Sequence, residues 1–269
     1  MNKFCKFIIY IYILYMINNK FIIFHQPKTG GTYALKCLPN GYVLPHNKNY
    51  HYCLNNKFNF SNTKLVAIIR DPLDYYISLI TFWCLDPKYC KCIANNSLDY
   101  LKKQYNLKNN NIGHPNFWMS KGYTERNLIN ILNNLFDQKF LENHKDKLSI
   151  KLHTYDYYIF NILLKLDIGF YTFSFLDQYS RKKVSEIKTP EECKEEIIYI
   201  KNNFIILNTK NITKELQELC KNNNVPFTFS PKQKVSNRKN IEEYNINKKL
   251  IEKIRYRDRF IFEIFKDLS

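Results

Sequence analysis

The stretch FIIFHQPKTGGT, residues 21–32, decides the expected architecture. Its first four residues are apolar and suit a strand that is buried on both faces. Pro27 and Gly30 favour a tight loop after this strand, and a helix is expected to begin at about Gly31. A strand, a glycine loop and a helix in direct succession place several backbone N–H groups around one anion.

The loop also carries side chains that suit an anion site. Lys28 adds a mobile cation, and Thr29 and Thr32 add hydroxyl donors. We therefore predict that the string Pro27-Lys-Thr-Gly-Gly-Thr32 binds an anion; the alternative is a strand–turn–helix corner that only needs glycine. The order of residues differs from the GxxxxGK[ST] loop of nucleoside triphosphatases, because the lysine precedes the glycines and no Lys-Ser/Thr pair follows them.

A second junction of this kind lies at residues 66–78, VAIIRDPLDYYIS. The run Lys64–Ile69 suits a buried strand, and Pro72 suits the first turn of a helix because its missing N–H would be unpaired there. Arg70, at the strand end, offers a planar fork of donors, and Ser78 follows about two helical turns after it. The alternative for Arg70 is an ion pair with a neighbouring aspartate on the surface.

The remaining apolar runs also alternate with helical patterns. FIIL at 204–207 suits another buried strand, and helices are expected at 124–142, from 189, at 213–221 and at 247–265. Continuously apolar strands that alternate with helices indicate a parallel sheet covered on both faces. We therefore predict an α/β fold, a three-layer sandwich in which ligands bind at the carboxyl ends of the strands.

With both motifs in view, the chain resembles the sulfotransferases that use 3′-phosphoadenosine 5′-phosphosulfate (PAPS), in the membrane-bound carbohydrate branch related to heparan sulfate 2-O-sulfotransferase. Pro27–Thr32 is similar to the 5′-phosphosulfate loop of that family, and Arg70 and Ser78 match an Arg and a Ser that bind the 3′-phosphate. The resemblance implies a P-loop-like sandwich with PAPS as co-substrate. It covers residues 21–84 well and 200–265 loosely, and it departs at Tyr75, where the family often has a basic residue.

The resemblance also implies roles in sulfuryl transfer. Lys28 is the candidate for neutralising the leaving phosphate oxygen, and a positioned base must accept the proton of the attacking hydroxyl. The carbohydrate branch has a His between the two nucleotide motifs, which makes His51 the expected base and His46 the alternative. No metal is required for this reaction.

A further match lies near the carboxyl end of the chain. Val235-Ser-Asn-Arg-Lys239 stands where the family has a loop that folds over the nucleotide. Ser236 and Arg238, with Lys239, are therefore expected to donate to its phosphate; the alternative is a basic loop that is simply solvated.

The composition limits the class of protein. The chain has 269 residues, of which 45% are hydrophobic, and a net charge of +17. This apolar content rules out disorder as the overall state, and the length permits a single α/β domain over residues 21–269. The charge favours an anionic partner only weakly, because AT-biased coding also explains the many lysines. The resemblance to the carbohydrate branch implies a glycan acceptor, and the charge supports it weakly; no nucleic-acid partner is expected, and the oligomeric state stays open.

Residues 1–20 form a separate apolar segment, with FIIYIYILYMI at 7–17 after two lysines. This run is shorter than the roughly 20 residues that span a bilayer, and no small-residue cleavage site follows it. A signal-like or membrane-associating segment and a buried strand or helix both stay open. The first alternative places the protein at a membrane or in the secretory lumen, the second in the cytoplasm.

The eight cysteines are too few for a disulfide scaffold. Their one tight group, Cys84, Cys90 and Cys92, lacks the second ligand pair that a zinc site usually needs. Local disulfides or buried thiols are therefore expected.

Two other functions fit parts of the sequence. A P-loop nucleotide-dependent phosphotransferase would need a Walker-type lysine and metal-binding carboxylates, and only Asp71 and Asp74 lie nearby. A non-catalytic basic module that binds polyanions or nucleic acid would need neither motif. The presence of both motifs favours the sulfotransferase.

Overall fold

The computed structural model of the protein describes residues 20–44, 48–85, 125–145, 149–152, 155–231, 244 and 246–268. These residues fall into two compact units. The first draws on 1–71, 174–232 and 263–269, and the second on 72–173 and 233–262. The segment 1–19 lies outside the described residues, so the expectations for the amino terminus, like that of one domain over 21–269, stay predictions.

The described strands and helices follow one another as an α/β chain. The strands are β1 (Phe21–Phe24), β2 (Val43–Leu44), β3 (Lys64–Ile69), β4 (Ser149–Leu152), β5 (Tyr155–Tyr158) and β6 (Phe204–Asn208). The helices are α1 (Gly31–Cys37), α2 (Tyr50–Asn55), α3 (Pro72–Leu85), α4 (Glu125–Leu135), α5 (Gln138–His144), α6 (Ile159–Leu166), α7 (Phe170–Tyr179), α8 (Pro190–Asn203), α9 (Ile212–Asn222), α10 (Lys248–Arg257) and α11 (Arg259–Lys266).

The first unit is built on a four-stranded sheet in the order β2-β1-β3-β6, with every neighbouring pair parallel. Ile23 pairs with Val66 across β1 and β3, and Val66 pairs with Ile205 across β3 and β6. All of β1 is buried, and so is β3 apart from Lys64. The continuous burial expected of these two apolar runs is confirmed.

Alternate residues of β1 face two different layers of helices, as the period of a strand requires. Phe21 and Ile23 belong to a core cluster that includes Ala34 of α1 and Leu216 of α9. The ring of Phe24, on the other face, meets aromatic rings of Tyr50, Tyr179, Phe60 and Phe204 at centroid distances between 5.7 and 6.5 Å. The predicted α/β three-layer sandwich with a central parallel sheet is confirmed.

The second unit is mainly helical. It contains α3 to α6, α10, parts of α7 and α11, and an antiparallel hairpin in which Ser149 of β4 pairs with Tyr158 of β5. The ring of Tyr75 on α3 is buried and stacks on Tyr171 with centroids 3.7 Å apart. Tyr75, which stands where the resembled family often has a basic residue, is therefore part of the core of this unit.

Two predicted helices are each divided in the structure. The helical pattern at 124–142 becomes α4 and α5, because the Asp137 side chain accepts a hydrogen bond of 2.7 Å from the Phe140 N–H and caps a new helix. The pattern at 247–265 becomes α10 and α11, with the break at Asp258. The helix start predicted at Thr189 is confirmed, since its hydroxyl oxygen caps α8 by accepting from the Glu192 N–H.

Membrane-spanning length is tested only within the described residues. No helix there is by itself long and apolar enough to cross a bilayer. The consecutive helices α6 and α7 meet the length and composition criteria together, but the chain is bent between them.

Candidate anion-binding site at the sheet edge

The loop between β1 and α1 has an unusual backbone. Lys28 and Gly30 both have positive φ angles, 67° and 101°. Glycine adopts this region readily, whereas a residue with a Cβ is destabilised there by about 1 kcal/mol. Strain of this kind persists only where the surrounding structure holds it, and it concentrates at ligand sites.

The two glycines of the loop are required for different reasons. Gly30 provides the positive φ and forms the N-cap of α1, where it leaves the first helical turn without a side-chain cap. Gly31 instead provides space, because a Cβ there would lie 1.9 Å from Cδ2 of the His25 ring. The Tyr33 N–H donates to the Gly30 carbonyl at 2.9 Å, and no side chain competes for the other N–H groups of the first turn of α1.

The carboxyl ends of three parallel strands meet at this loop. Arg70, after β3, donates from Nη1 to the Lys28 carbonyl at 3.0 Å. Thr209, after β6, places its hydroxyl 2.7 Å from the Thr29 carbonyl and 2.7 Å from that of Ile69. Because a hydroxyl has one proton, it donates to one of these carbonyls at a time. Arg70 of the second predicted motif is thus adjacent to the loop within the first unit.

These contacts set the direction of the loop's N–H groups. A trans peptide is planar, so its N–H points opposite to its carbonyl. When Arg70 and Thr209 hold the carbonyls of Lys28 and Thr29, the N–H groups of the next residues point away from both donors. N–H groups that point to one side of a loop suit an anion such as a phosphate or a phosphosulfate, and the Arg70 contact lies on the other side of these peptides.

The predicted loop residues differ in exposure. Pro27, Lys28 and Gly30 are half-buried, and Thr32 is exposed at the first turn of α1. The Thr29 side chain is fully buried, and its hydroxyl donates to the Gln26 carbonyl at 2.9 Å. In this conformation the Thr29 hydroxyl therefore stabilises the loop, and its backbone N–H is the group available for an anion.

The other predicted site residues are distributed over the chain. Ser78 is half-buried on α3 in the second unit, so its contribution beside Arg70 stays a prediction. His46, Ser236, Arg238 and Lys239 lie outside the described residues. Their predicted roles are untested.

His51, the expected base, lies on α2. This short helix begins at a cap in which the Asn49 side chain accepts from the Tyr52 N–H at 3.3 Å. The His51 side chain is 0% exposed. A general base must come within hydrogen-bond distance of the proton that it accepts, so a catalytic role for His51 requires that acceptor binding opens this part of the unit. The role stays a prediction.

Sequence reasoning missed Thr209 and the residues that fix it. The Asn208 N–H donates to the Glu215 carboxylate at 2.6 Å, and Asn208 Oδ1 accepts from the Lys210 N–H at 2.9 Å. The sequence did contain a signal for Thr209. It stands two residues after the predicted strand FIIL, which ends at 207, and the carboxyl ends of parallel strands share one edge of a sheet.

The described cysteines are buried thiols. Cys37, Cys53, Cys193 and Cys220 are free, and burial raises the pKa of Cys53 to about 12. The side chain of Cys84, with Cys90 and Cys92, lies outside the described residues. Within the described part of the chain, no group of three or more His, Cys, Asp or Glu residues could hold a metal ion.

Comparison with known proteins gave no relative. No protein-family model, curated protein or solved structure matches the chain. The groups gathered at the sheet edge, backbone N–H donors with a lysine and an arginine, are therefore the basis on which a function is argued.

Proposed function

We propose that this protein is a PAPS-dependent sulfotransferase that moves a sulfuryl group to a hydroxyl of a carbohydrate. The observation that carries the proposal is the hydrogen bond of 3.0 Å from Arg70 Nη1 to the Lys28 carbonyl. It joins two motifs that lie 42 residues apart in the sequence. Each motif alone is also typical of a strand–turn–helix connection that binds nothing. Together, the loop at 27–32 and Arg70 suit a ligand with two anionic groups.

The loop at 25–30 and the first turn of α1 hold the 5′-phosphosulfate in this proposal. The acceptor oxygen forms a bond to sulfur while the bond from sulfur to the phosphate oxygen breaks. Negative charge then develops on the leaving phosphate oxygen, and the ammonium group of Lys28 stabilises it. The products are a sulfate ester and adenosine 3′,5′-bisphosphate, and the acceptor's proton passes to the base, for which His51 is the candidate.

Arg70 has two tasks in the proposal. A guanidinium carries five N–H donors, and the Lys28 carbonyl accepts from one of them. The planar fork of donors suits the 3′-phosphate, with Ser78 as the second donor. The same side chain then links the shape of the loop to the presence of the 3′-phosphate.

The test is the nucleotide preference of the purified protein. Isothermal titration calorimetry should show that adenosine 3′,5′-bisphosphate binds about tenfold or more tightly than adenosine 5′-phosphate, because a charge-assisted contact contributes about 1.5–3 kcal/mol. Lys36→Ala, at an exposed lysine in the last turn of α1, is the matched control and should leave both affinities unchanged.

Turnover is tested with labelled PAPS and a panel of glycans, peptides and small alcohols. Transfer to a glycan supports the full proposal, and transfer to another class corrects the acceptor. Preference for Mg²⁺-ATP would instead indicate a phosphotransferase. Equal affinity for both adenosine nucleotides with no transfer of label would overturn the proposal.

A further inference from the structure

We propose that the first unit has a separate binding site for a neutral saccharide ring, in an aromatic pocket at the amino ends of β3 and β6. The pocket has a volume of about 530 Å³, within the range of about 300–1,000 Å³ that is usual for small-ligand sites. It is lined by Tyr50, Leu54, Phe58, Asn59, Phe60, Ser61, Thr63, Lys64, Leu65, Tyr199, Asn202, Asn203, Phe204 and Ile205. All of these residues belong to the first unit.

The pocket lies at the opposite edge of the sheet from the anion-binding loop. Lys64 and Phe204 begin the strands β3 and β6, whereas Arg70 and Thr209 follow the ends of the same strands. The six residues of β3 span about 20 Å. A ligand in the pocket is therefore distinct from the nucleotide, and binding there needs neither nucleotide nor turnover.

Aromatic rings form the floor of the pocket. Phe60 is the central ring, with centroids 5.8 Å from Tyr50 and 6.3 Å from Phe58. Tyr50 in turn meets the edge of Phe204 at 5.2 Å. Tyr50, Phe58 and Phe204 are buried, while Phe60 is half-buried and presents its surface to the pocket. The floor is rigid because each ring is held by others.

Small polar side chains form the rim. Asn59, Ser61, Asn202 and Asn203 are all exposed. An asparagine amide both donates and accepts, so it can pair with a hydroxyl acting in either direction. Asn59 Oδ1 already accepts from the Ser61 N–H and hydroxyl at 2.9 and 2.8 Å, and Asn203 Nδ2 donates to the Tyr199 carbonyl at 2.8 Å. Amide contacts to a ligand above the aromatic floor are therefore expected chiefly from Asn202.

The charge of the lining excludes cationic ligands. None of the lining residues is acidic, and Lys64 is the charged one. An aromatic site can also attract a cation through its ring faces. Here the Arg181 guanidinium, paired with Glu196 at 2.9 Å, already lies 4.2 Å from the centre of the Tyr199 ring, so that ring is already engaged by a cation.

A saccharide ring matches both the floor and the rim. Its C–H bonds are polarised by the attached oxygens and suit the negative face of an aromatic ring, while its hydroxyls suit the amide rim. An aliphatic peptide side chain would use the floor and leave the rim unmatched. A neutral glycan is the most specific probe of this pocket, because a protein of net charge +17 also binds sulfated glycans non-specifically over its surface.

The experiment is calorimetric titration of the whole protein with neutral hexasaccharides of glucose, mannose, galactose and N-acetylglucosamine, in 0.5 M NaCl to screen surface charge. Uridine, adenosine and a leucine-rich peptide serve as probes of other ligand classes. We expect one hexasaccharide to bind with an affinity that changes little between 0.1 and 0.5 M NaCl.

Three variants locate the binding. Phe60→Ala and Phe60→Leu should both weaken it by about tenfold, equivalent to about 1.4 kcal/mol, since each removes the aromatic face that the saccharide contacts. Phe60→Leu keeps apolar volume and preserves the fold if Phe60→Ala does not. Asn202→Ala changes only the exposed rim and should weaken binding by a few fold. Phe229→Ala, at an exposed ring outside the pocket, is the control and should have no effect.

The outcomes are decisive in both directions. A neutral hexasaccharide that binds wild type and Phe229→Ala alike, and binds the Phe60 variants more weakly, supports the proposal. It is overturned if no neutral hexasaccharide binds, if the Phe60 variants bind as wild type does, or if a nucleoside or the peptide binds in preference. Because nucleotide affinity is measured separately, failure here leaves the sulfotransferase proposal standing, and the reverse also holds.

Discussion

Two regions of the molecule each depend on one ionisable side chain that hydrogen-bonds to backbone far away in the sequence. The first region is the loop after β1, which is held by Arg70, and the second is the junction of α10 and α11, which is held by Asp258. Arg70 is half-buried and donates to a carbonyl. Asp258 is 0% exposed. It accepts from the Tyr76 hydroxyl at 2.6 Å and from the N–H and hydroxyl of Thr172 at 2.8 and 2.7 Å.

The difference separates a candidate ligand site from a structural cluster. All three donors to Asp258 are neutral, while Arg257 pairs with Asp167 at 3.0 Å. Gly169 makes room for the carboxylate, since a Cβ there would lie 2.3 Å from Oδ2. Burial raises the pKa of Asp258 to about 6, although the hydrogen bonds from Tyr76 and Thr172 act in the opposite direction. The strongly shifted pKa of Asp258 therefore marks a packed structural cluster, whereas the candidate ligand site is argued from its hydrogen-bond geometry.

The largest expected effect is a loss of turnover on substitution in the loop after β1. Lys28→Ala should lower turnover about 10²–10³-fold, because it removes the cation beside the leaving oxygen. Its free energy of unfolding should change by less than about 0.5 kcal/mol, since it replaces a half-buried side chain in a loop. Steady-state kinetics and chemical denaturation check both parts, with Lys36→Ala as the control. Unchanged turnover would remove Lys28 from the catalytic site.

The next largest effect is a pH-dependent change in the free energy of unfolding, caused by Asp258 at the junction of α10 and α11. The pKa of Asp258 is about 6 in the folded protein against 3.8 for the ordinary group, so the folded state takes up the proton first as pH falls. This contribution to stability is fully present below pH 3.8 and is lost as pH rises through about 6. It amounts to about 3 kcal/mol.

Denaturation of wild type and Asp258→Asn at several pH values measures this contribution. Between pH 7 and pH 4 the wild type should gain about 2.4 kcal/mol relative to Asp258→Asn, which cannot titrate there. Other carboxylates titrate equally in both proteins and cancel. A difference that stays constant with pH would show that Asp258 is not the titrating group.

The smallest effect concerns Thr209, which holds the loop from β6. Thr209→Val keeps the shape of the side chain and removes the hydroxyl that contacts the Thr29 carbonyl. It should weaken binding of adenosine 3′,5′-bisphosphate by about fivefold, the value of one hydrogen bond near 1 kcal/mol. Thr209→Ser should restore it. Equal affinity of the valine and serine variants would show that the hydroxyl does not position the loop.

Local pattern predicted the strands β1, β3 and β6 and most of the helices that follow them. It did not predict β2, α2, the β4–β5 hairpin, α6 or α7. β1 and β3 were predictable because their residues are apolar without interruption, and the loop because glycines follow at once. The break at Asp258 was not, because the amphipathic pattern runs through it and the partner Tyr76 lies 182 residues away. Thr209 was missed for the same reason, since its contact with Thr29 spans 180 residues.

The central claim is that Arg70 and the Lys28 loop act as one site. The most direct measurement is the affinity for adenosine 3′,5′-bisphosphate of wild type, Lys28→Ala, Arg70→Gln and the double variant. We predict that each single change weakens binding about tenfold or more and that the double variant loses less than the sum, because Arg70 also fixes the carbonyl of Lys28. Affinities that are the same in all four proteins would contradict the account.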